Sequence, residues 1–349
     1  MFAQVGLQCD RLAENGDPQA LAITVWGFSV MNYRYPALYR AVSACSERLG
    51  REGRAQNLVN TVWAFANASY YAPQLFVDIA QFIVKVVDEG SPQALSKFAW
   101  AYAISNNHIP DVFLRIAQKS DLLAGEGAMK GISATLWAYA TVGNWESESA
   151  VLVGKLWSSC LHPTEKNSQK NIDHDDLFNV YQTFVASKVE VREHSLEEPS
   201  PELWAQMLAS AVAAHETKEK SNAELNEKLG MHLSNIGFKH ARNINPFDFT
   251  ATNNDQDLGG FLNMEFTNID KKVSVELVSD DLWIGKGGGG ENDGFTGVES
   301  GQLRLVKRLR NTLGAKTIEV RVSLFEEALA KGVVATDDFL KSLIKNVSV

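Results

Sequence analysis

Cysteine is scarce in this sequence: Cys9, Cys45 and Cys160 are the three among 349 residues. They form no CxxC pair and each falls within a helical pattern, which argues for a reducing compartment and against disulfides or a zinc site. Positive charge is short as well. Lys and Arg number 33 against 42 Asp and Glu, a net charge of −9 with a pI near 5.4, whereas strong nonspecific binding to nucleic acid needs clustered cations that neutralise phosphates. Part of the acidity is local, in Asp173, Asp175, Asp176, Glu190, Glu193, Glu197 and Glu198. No run reaches the roughly 18 apolar residues of a membrane-spanning helix, so no membrane partner is expected. The histidines, His108, His162, His174, His194, His215, His232 and His240, have no metal-binding spacing, and neither a metal nor a cofactor is expected. The glycine-rich stretch Gly285–Gly294 carries Lys286 ahead of its glycines, where a phosphate loop needs GxxxxGK followed by Ser or Thr at a helix start. It reads as a flexible connection.

What the chain does have is a repeat. PQALAITVWGF (18–28), QNLVNTVWAFA (56–66), PQALSKFAWAY (92–102) and MKGISATLWAY (129–139) place Trp26, Trp63, Trp100 and Trp137 at steps of 37 residues. A fixed period in this range marks a solenoid, whose units are too small to bury their own apolar faces and stack on their neighbours. Within one unit Leu58, Val62 and Phe65 follow helical spacing, with Trp63 and Ala66 beside them, so the first half is a helix with one broad buried face. Its opposite side carries Gln56, Asn60, Ala64 and Asn67. A second helix is predicted from Pro73 to about Asp88, its start marked by Pro36, Pro73 and Pro110, since proline is favoured in a first helical turn. Each unit then reads as a helical hairpin.

The tryptophans read as core, since a large apolar residue at every repeat junction is usually buried, with base-stacking platforms as the alternative. The variable columns are Gln19, Gln56, Gln93 and Lys130, and Ile23, Asn60, Lys97 and Ala134, next to a row of small residues, Gly27, Ala64, Ala101 and Ala138. This arrangement suits a surface that something extended approaches closely. The phrase PQ-x-L-x-x-x-x-W-A-x-A on this period resembles the octotricopeptide repeats of organellar RNA-binding proteins, over about residues 1–186. The resemblance implies one helical hairpin per repeat and roughly one nucleotide read per repeat, as in other helical-repeat RNA readers.

Register also extends outwards. Met1-Phe2-Ala3-Gln4-Val5 aligns with Leu38-Tyr39-Arg40-Ala41-Val42, so the chain is expected to begin inside the second helix of a repeat, with further units upstream. After an insertion, HPTEKNSQKNID (162–173), a degenerate fifth unit keeps Leu177, Asn179 and Phe184 and puts Gln182 at the tryptophan position. A charged loop and a helix over Pro201–His215 close the array as a cap.

From Ser221 the character changes. An amphipathic helix ending at Gly237, strands over Phe261–Asn268 and Lys272–Val278, a basic helix over Gly301–Leu313, a strand over Thr317–Val322 and a helix over Thr336–Lys345 are predicted, an α+β or α/β arrangement with a small sheet. Ser221, Leu225–Gly237, Val275-Glu276-Leu277, Lys307-Arg308-Leu309 and Gly314 resemble the RAP domain, named as an RNA-binding domain. That fold is similar to restriction-type nucleases, which need two carboxylates for a metal and a lysine to activate water. Glu265, Glu276 and Lys307 are the candidates for such a site, but Val278, Ser279 and Leu282 stand where the signatures want other residues. The concentrated basic patch, Arg304, Lys307, Arg308 and Arg310 with Lys316 and Arg321 nearby, is the candidate phosphate contact, positioning RNA without reading bases.

The expectation is therefore an α-helical solenoid of helical-hairpin repeats over 1–215, followed by a small α/β RAP-like domain over 216–349. Its partner is single-stranded RNA of a mitochondrion or plastid, where it serves RNA processing, stability or translation. The alternatives are a metal-dependent RNA endonuclease and a protein-interaction scaffold, the second favoured by the acidic charge.

Overall fold

The computed structural model describes residues 8–33, 35–164, 172–191, 196–250, 260–286 and 297–345. Met1–Val5, Glu193, His194, most of the 162–173 insertion and 287–294 of the glycine-rich stretch lie outside the described residues. The chain is mostly helical, with a small mixed sheet towards the C-terminus. It divides into two compact units, Met1–Thr183 with Glu198–Ser200 and Trp283–Gln302, and Phe184–Glu197 with Pro201–Leu282 and Leu303–Val349. The sequence placed a boundary at 215/216; the chain instead runs through that point within one helix.

In the first unit, α1 (Cys9–Asn15), α2 (Pro18–Val30), α3 (Pro36–Ser43), α4 (Ser46–Glu52) and α5 (Ala55–Asn67) lead to a short strand, β1 (Tyr70–Tyr71). There follow α6 (Pro73–Ala80), α7 (Ile83–Glu89), α8 (Pro92–Ile104), α9 (Pro110–Ala117), α10 (Ser120–Glu126), α11 (Met129–Val142) and α12 (Ser147–Leu161). The long helices α2, α5, α8 and α11 each pack on the next. Between them the predicted single second helix is broken in two. Gln81 and Phe82 N–H groups donate to the carbonyls of Asp78 and Ile79, three residues back, and this tighter turn re-aims the chain between α6 and α7. Cys45 to Val42 and Lys119 to Ile116 do the same. Three of the units therefore hold one long and two short helices rather than a hairpin.

Two columns of turn residues keep this register. Gly16, Gly53, Gly90 and Gly127 end the short helices, each N–H donating to the carbonyl four residues back at 2.8, 2.8, 2.9 and 3.0 Å. A Cβ at any of them would lie under 3.0 Å from that same carbonyl oxygen, so only glycine permits the close approach. After the long helices, Asn32, Ser69, Asn106 and Gly143 take positive φ of 49°, 50°, 57° and 75°. Aromatic pairs bind unit to unit. Tyr39–Phe65, Phe76–Tyr102 and Phe113–Tyr139 meet edge to face at 5.2, 5.1 and 5.3 Å, a geometry that contributes about 0.5–1.5 kcal/mol beyond area burial. The Tyr102 and Tyr139 hydroxyls also donate to the carbonyls of Phe76 and Phe113 at 2.7 and 2.5 Å.

α13 (His174–Glu190) spans the division between the units. The second unit continues with α14 (Pro201–Asn235), β2 (Ala241–Ile244), β3 (Met264–Asn268) and β4 (Val273–Val278). The helices predicted over Pro201–His215 and from Ser221 are one: HETKEKSN between them holds no Gly or Pro, and Lys220–Glu216 and Lys228–Glu224 pairs brace it. The chain then returns to the first unit with β5 (Trp283–Lys286) and β6 (Val298–Glu299). β5 runs parallel to β1, pairing Tyr70 with Gly285, and antiparallel to β6. α15 (Gly301–Thr312), β7 (Lys316–Arg321), α16 (Val322–Ala330) and α17 (Val333–Lys345) complete the chain. The larger sheet has the order β2-β3-β4-β7, with only β4 and β7 parallel. Leu229 and Leu233 of α14, Phe266, Val275, Leu277, Ile318 and Val320 of the sheet, and Phe325 and Leu340 of α16 and α17 form its core.

Candidate nucleic-acid interface

On the long helices the spacing i, i+4, i+7, i+11 returns to one face. It gives Gln19, Ile23, Trp26, Val30 on α2; Gln56, Asn60, Trp63, Asn67 on α5; Gln93, Lys97, Trp100, Ile104 on α8; and Lys130, Ala134, Trp137, Thr141 on α11. Both variable columns are open to solvent. Gln19, Ile23, Gln56, Gln93 and Lys130 are exposed, and Asn60, Lys97 and Ala134 are half-buried.

The tryptophans share this face, which corrects their reading as core. Trp26 is 38% exposed and Trp63 and Trp100 are half-buried; only Trp137, at 2%, is interior. The signal was in the sequence: each tryptophan stands three residues after a member of the Ile23–Asn60–Lys97–Ala134 column, hence on its side of the helix. Trp137 is covered because its indole N–H donates to Gln182 at 2.7 Å and Gln302 at 3.1 Å, so the degenerate unit's glutamine closes over the last tryptophan. The small row is corrected too. Ala64, Ala101 and Ala138 are fully buried and let neighbouring long helices pack closely, rather than admitting a ligand.

Polar chemistry on the stripe is modest in charge. Gln56 donates to Asn60 at 2.8 Å, which presents the pair as a preorganised amide unit. The Lys97 ammonium lies 5.7 Å from the centre of the Trp63 ring, a cation–π contact between consecutive units. Lys130 pairs with Asp173 at 3.2 Å, and that hydrogen bond raises its pKa. Beside it Asp176, buried and accepting from Ser133 at 2.6 Å, has its pKa raised by burial. The Cys160 thiol is pushed up to about 12 by burial, which removes it from thiolate chemistry.

The basic helix behaves otherwise than expected. On α15, Arg310 is 2% exposed, binds Glu276 at 2.8 Å and donates to the Leu262 and Asn263 carbonyls at 2.9 and 2.6 Å. It is a core cation, not a phosphate contact. Arg308 is held by Glu190 at 2.7 Å and Lys307 by Glu319 at 3.2 Å; Arg304 is half-buried on the same helix. Arg321 binds Asp280 at 3.0 Å.

The nuclease constellation is taken apart by the same pairs. The register of β3 and β4 sets Glu265 beside Glu276, and the Glu265 N–H donates to the Glu276 carboxylate at 3.4 Å. Yet Glu276 is neutralised by Arg310, Glu265 is bonded to Arg242, and Lys307 serves Glu319. Among the described residues no three His, Cys, Asp or Glu side chains gather as metal ligands. Among the described residues no helix is long and apolar enough to cross a membrane.

No family model and no curated protein matches the chain. Its functional reading therefore rests on the stripe and on the chemistry around it.

Proposed function

We propose that the chain binds single-stranded RNA along the stripe carried by α2, α5, α8 and α11. The first unit is then an octotricopeptide-like solenoid on the 37-residue period, the second a RAP-like domain, and the setting a mitochondrion or plastid, where the bound RNA is processed, stabilised or translated. The observation that carries this reading is the row of accessible tryptophans, Trp26, Trp63 and Trp100, each beside a variable Gln, Asn, Lys or Ile. Base faces stack on such rings for about 1–3 kcal/mol each, while amide and ammonium groups three and seven residues away contact base edges. Three platforms supply a modest affinity after ordering costs are met, and stacking on the stripe needs few cations, which fits an acidic chain.

Selection from a random single-stranded RNA pool tests the reading. Enrichment of a short motif is expected. Trp63→Ala and Trp100→Ala each weaken binding to it by about 5- to 150-fold, the equivalent of one stacked base, and Asn60→Ala changes the preferred base at one position. A pool that enriches nothing at any salt concentration overturns the proposal.

A protein-interaction scaffold is favoured by one observation. Ile23, Val30, Met31 and Tyr33 are exposed around Trp26 on and after α2, an apolar cluster of the kind that marks protein contacts. Under that reading the tryptophan variants would lose a protein partner and leave RNA unaffected.

A further inference from the structure

We infer that a lysine-rimmed groove in the second unit binds the sugar-phosphate backbone of single-stranded RNA. The groove, about 1060 Å³, has Ile236, Phe238, Val273, Ile318 and Ile344 as its apolar lining. Its rim carries Lys239, Lys271, Lys316, Lys341 and Lys345 against Asp270 and Asp338. These lysines come from four separate places: the turn after α14, the β3–β4 turn, the first residue of β7, and α17. Only Lys316 stands out in the sequence, because nothing short of the fold brings the five together.

The charge state of the rim is the decisive contrast. Every cation of the sequence-adjacent set Lys307, Arg308, Arg310 and Arg321 is held by a carboxylate within 3.2 Å. On the groove, Lys341 lies 3.5 Å from Asp338, whereas Lys239, Lys271, Lys316 and Lys345 are exposed and have no carboxylate in ion-pair range among the described residues. The negative end of the α17 dipole accounts for Lys341 and Lys345, but for none of the other three. Five ammonium groups against two carboxylates around one concavity, in a chain of net charge −9, make a local anion site.

Single-stranded RNA fits it best. Its anions are spaced along a thin flexible strand that can follow cations spread over four segments, and its base faces cover an apolar floor. The site carries no base-reading array, so it supplies affinity without sequence choice, complementary to the stripe and independent of it.

The test uses the full chain and a fluorescein-labelled oligouridylate, with binding followed by anisotropy across a salt series. Lys239→Gln/Lys271→Gln/Lys316→Gln/Lys345→Gln is expected to weaken binding at least tenfold at low salt. The slope of log K against log salt should flatten by about 3, since each single-strand phosphate contact contributes about 0.7. The corresponding four Lys→Arg changes keep both, which separates loss of charge from loss of fold. Trp63→Ala/Trp100→Ala leaves the slope unchanged, so the groove can stand even where the stripe reads no sequence. Unaltered affinity and slope in the glutamine variant overturn the inference. So does loss of binding to polyglutamate or to phosphatidylserine vesicles with oligouridylate binding intact.

Discussion

Arg310 satisfies four groups at once: the Glu276 carboxylate, the carbonyls of Leu262 and Asn263, and the Thr317 hydroxyl. Removing one partner of a buried pair leaves a charge without compensation, which costs about 3–5 kcal/mol. Arg310→Ala should therefore lower the urea stability of the second unit by that amount, and Arg310→Met/Glu276→Met should recover most of it. A phosphate contact would behave oppositely, losing RNA affinity with stability unchanged. The residue scale also shows what was readable beforehand. Gln56, Asn60 and Lys97 were legible as surface because their period repeats four times over. The partners of Arg310 were not, because Glu276 and Leu262 are 34 and 48 residues away in sequence and only the sheet brings them near. The size of Trp63 suggests an interior side chain, whereas its place on the helical wheel, three residues after Asn60, sets it on the open face.

At the scale of elements, turn chemistry governs the repeat as much as apolar periodicity does. The glycine column and the left-handed column predict opposite responses. Gly90→Ala forces a Cβ into the Val86 carbonyl, and relieving such overlap costs about 1–3 kcal/mol. Ser69→Gly releases a non-glycine residue from φ of 50°, for a gain of about 1–2 kcal/mol. Thermal denaturation of the two variants reads both signs; a drop in melting temperature for each would show that the turns do not set the register. The long helices could be located from sequence to within a residue at their starts and to within three at their ends. The breaks between α3 and α4, α6 and α7, and α9 and α10 could not, since QLFVDIAQFIVKVV carries unbroken helical spacing and the break is a change of hydrogen-bond step. α16 went unpredicted although VSLFEEALA has good helix formers; it follows β7 with no intervening loop, and the strand pattern masked its start.

At the scale of the molecule, the two units are interleaved in sequence. Trp283–Gln302 belongs with the helical repeats although the second unit surrounds it in the chain, and no local pattern in those residues announces this. Gly285 donates to the Ser69 carbonyl at 3.2 Å, and a Cβ on Gly301 would lie under 3.0 Å from the Ala103 carbonyl. Gly301→Val should lift the excursion, and hydrogen exchange at the Gly285 amide should then accelerate by at least tenfold; an unchanged rate would mean that β1 and β5 hold it without help from Gly301.

Interleaving has a consequence for synthesis. A ribosome that has made all of α2 to α12 has not yet made the strand that pairs with Tyr70–Tyr71, nor Gln302, the later of the two glutamines that accept from Trp137. Those groups wait until residue 302 of 349 has left the exit tunnel. Maturation of the N-terminal helices is thus timed by the C-terminal part of the nascent polypeptide.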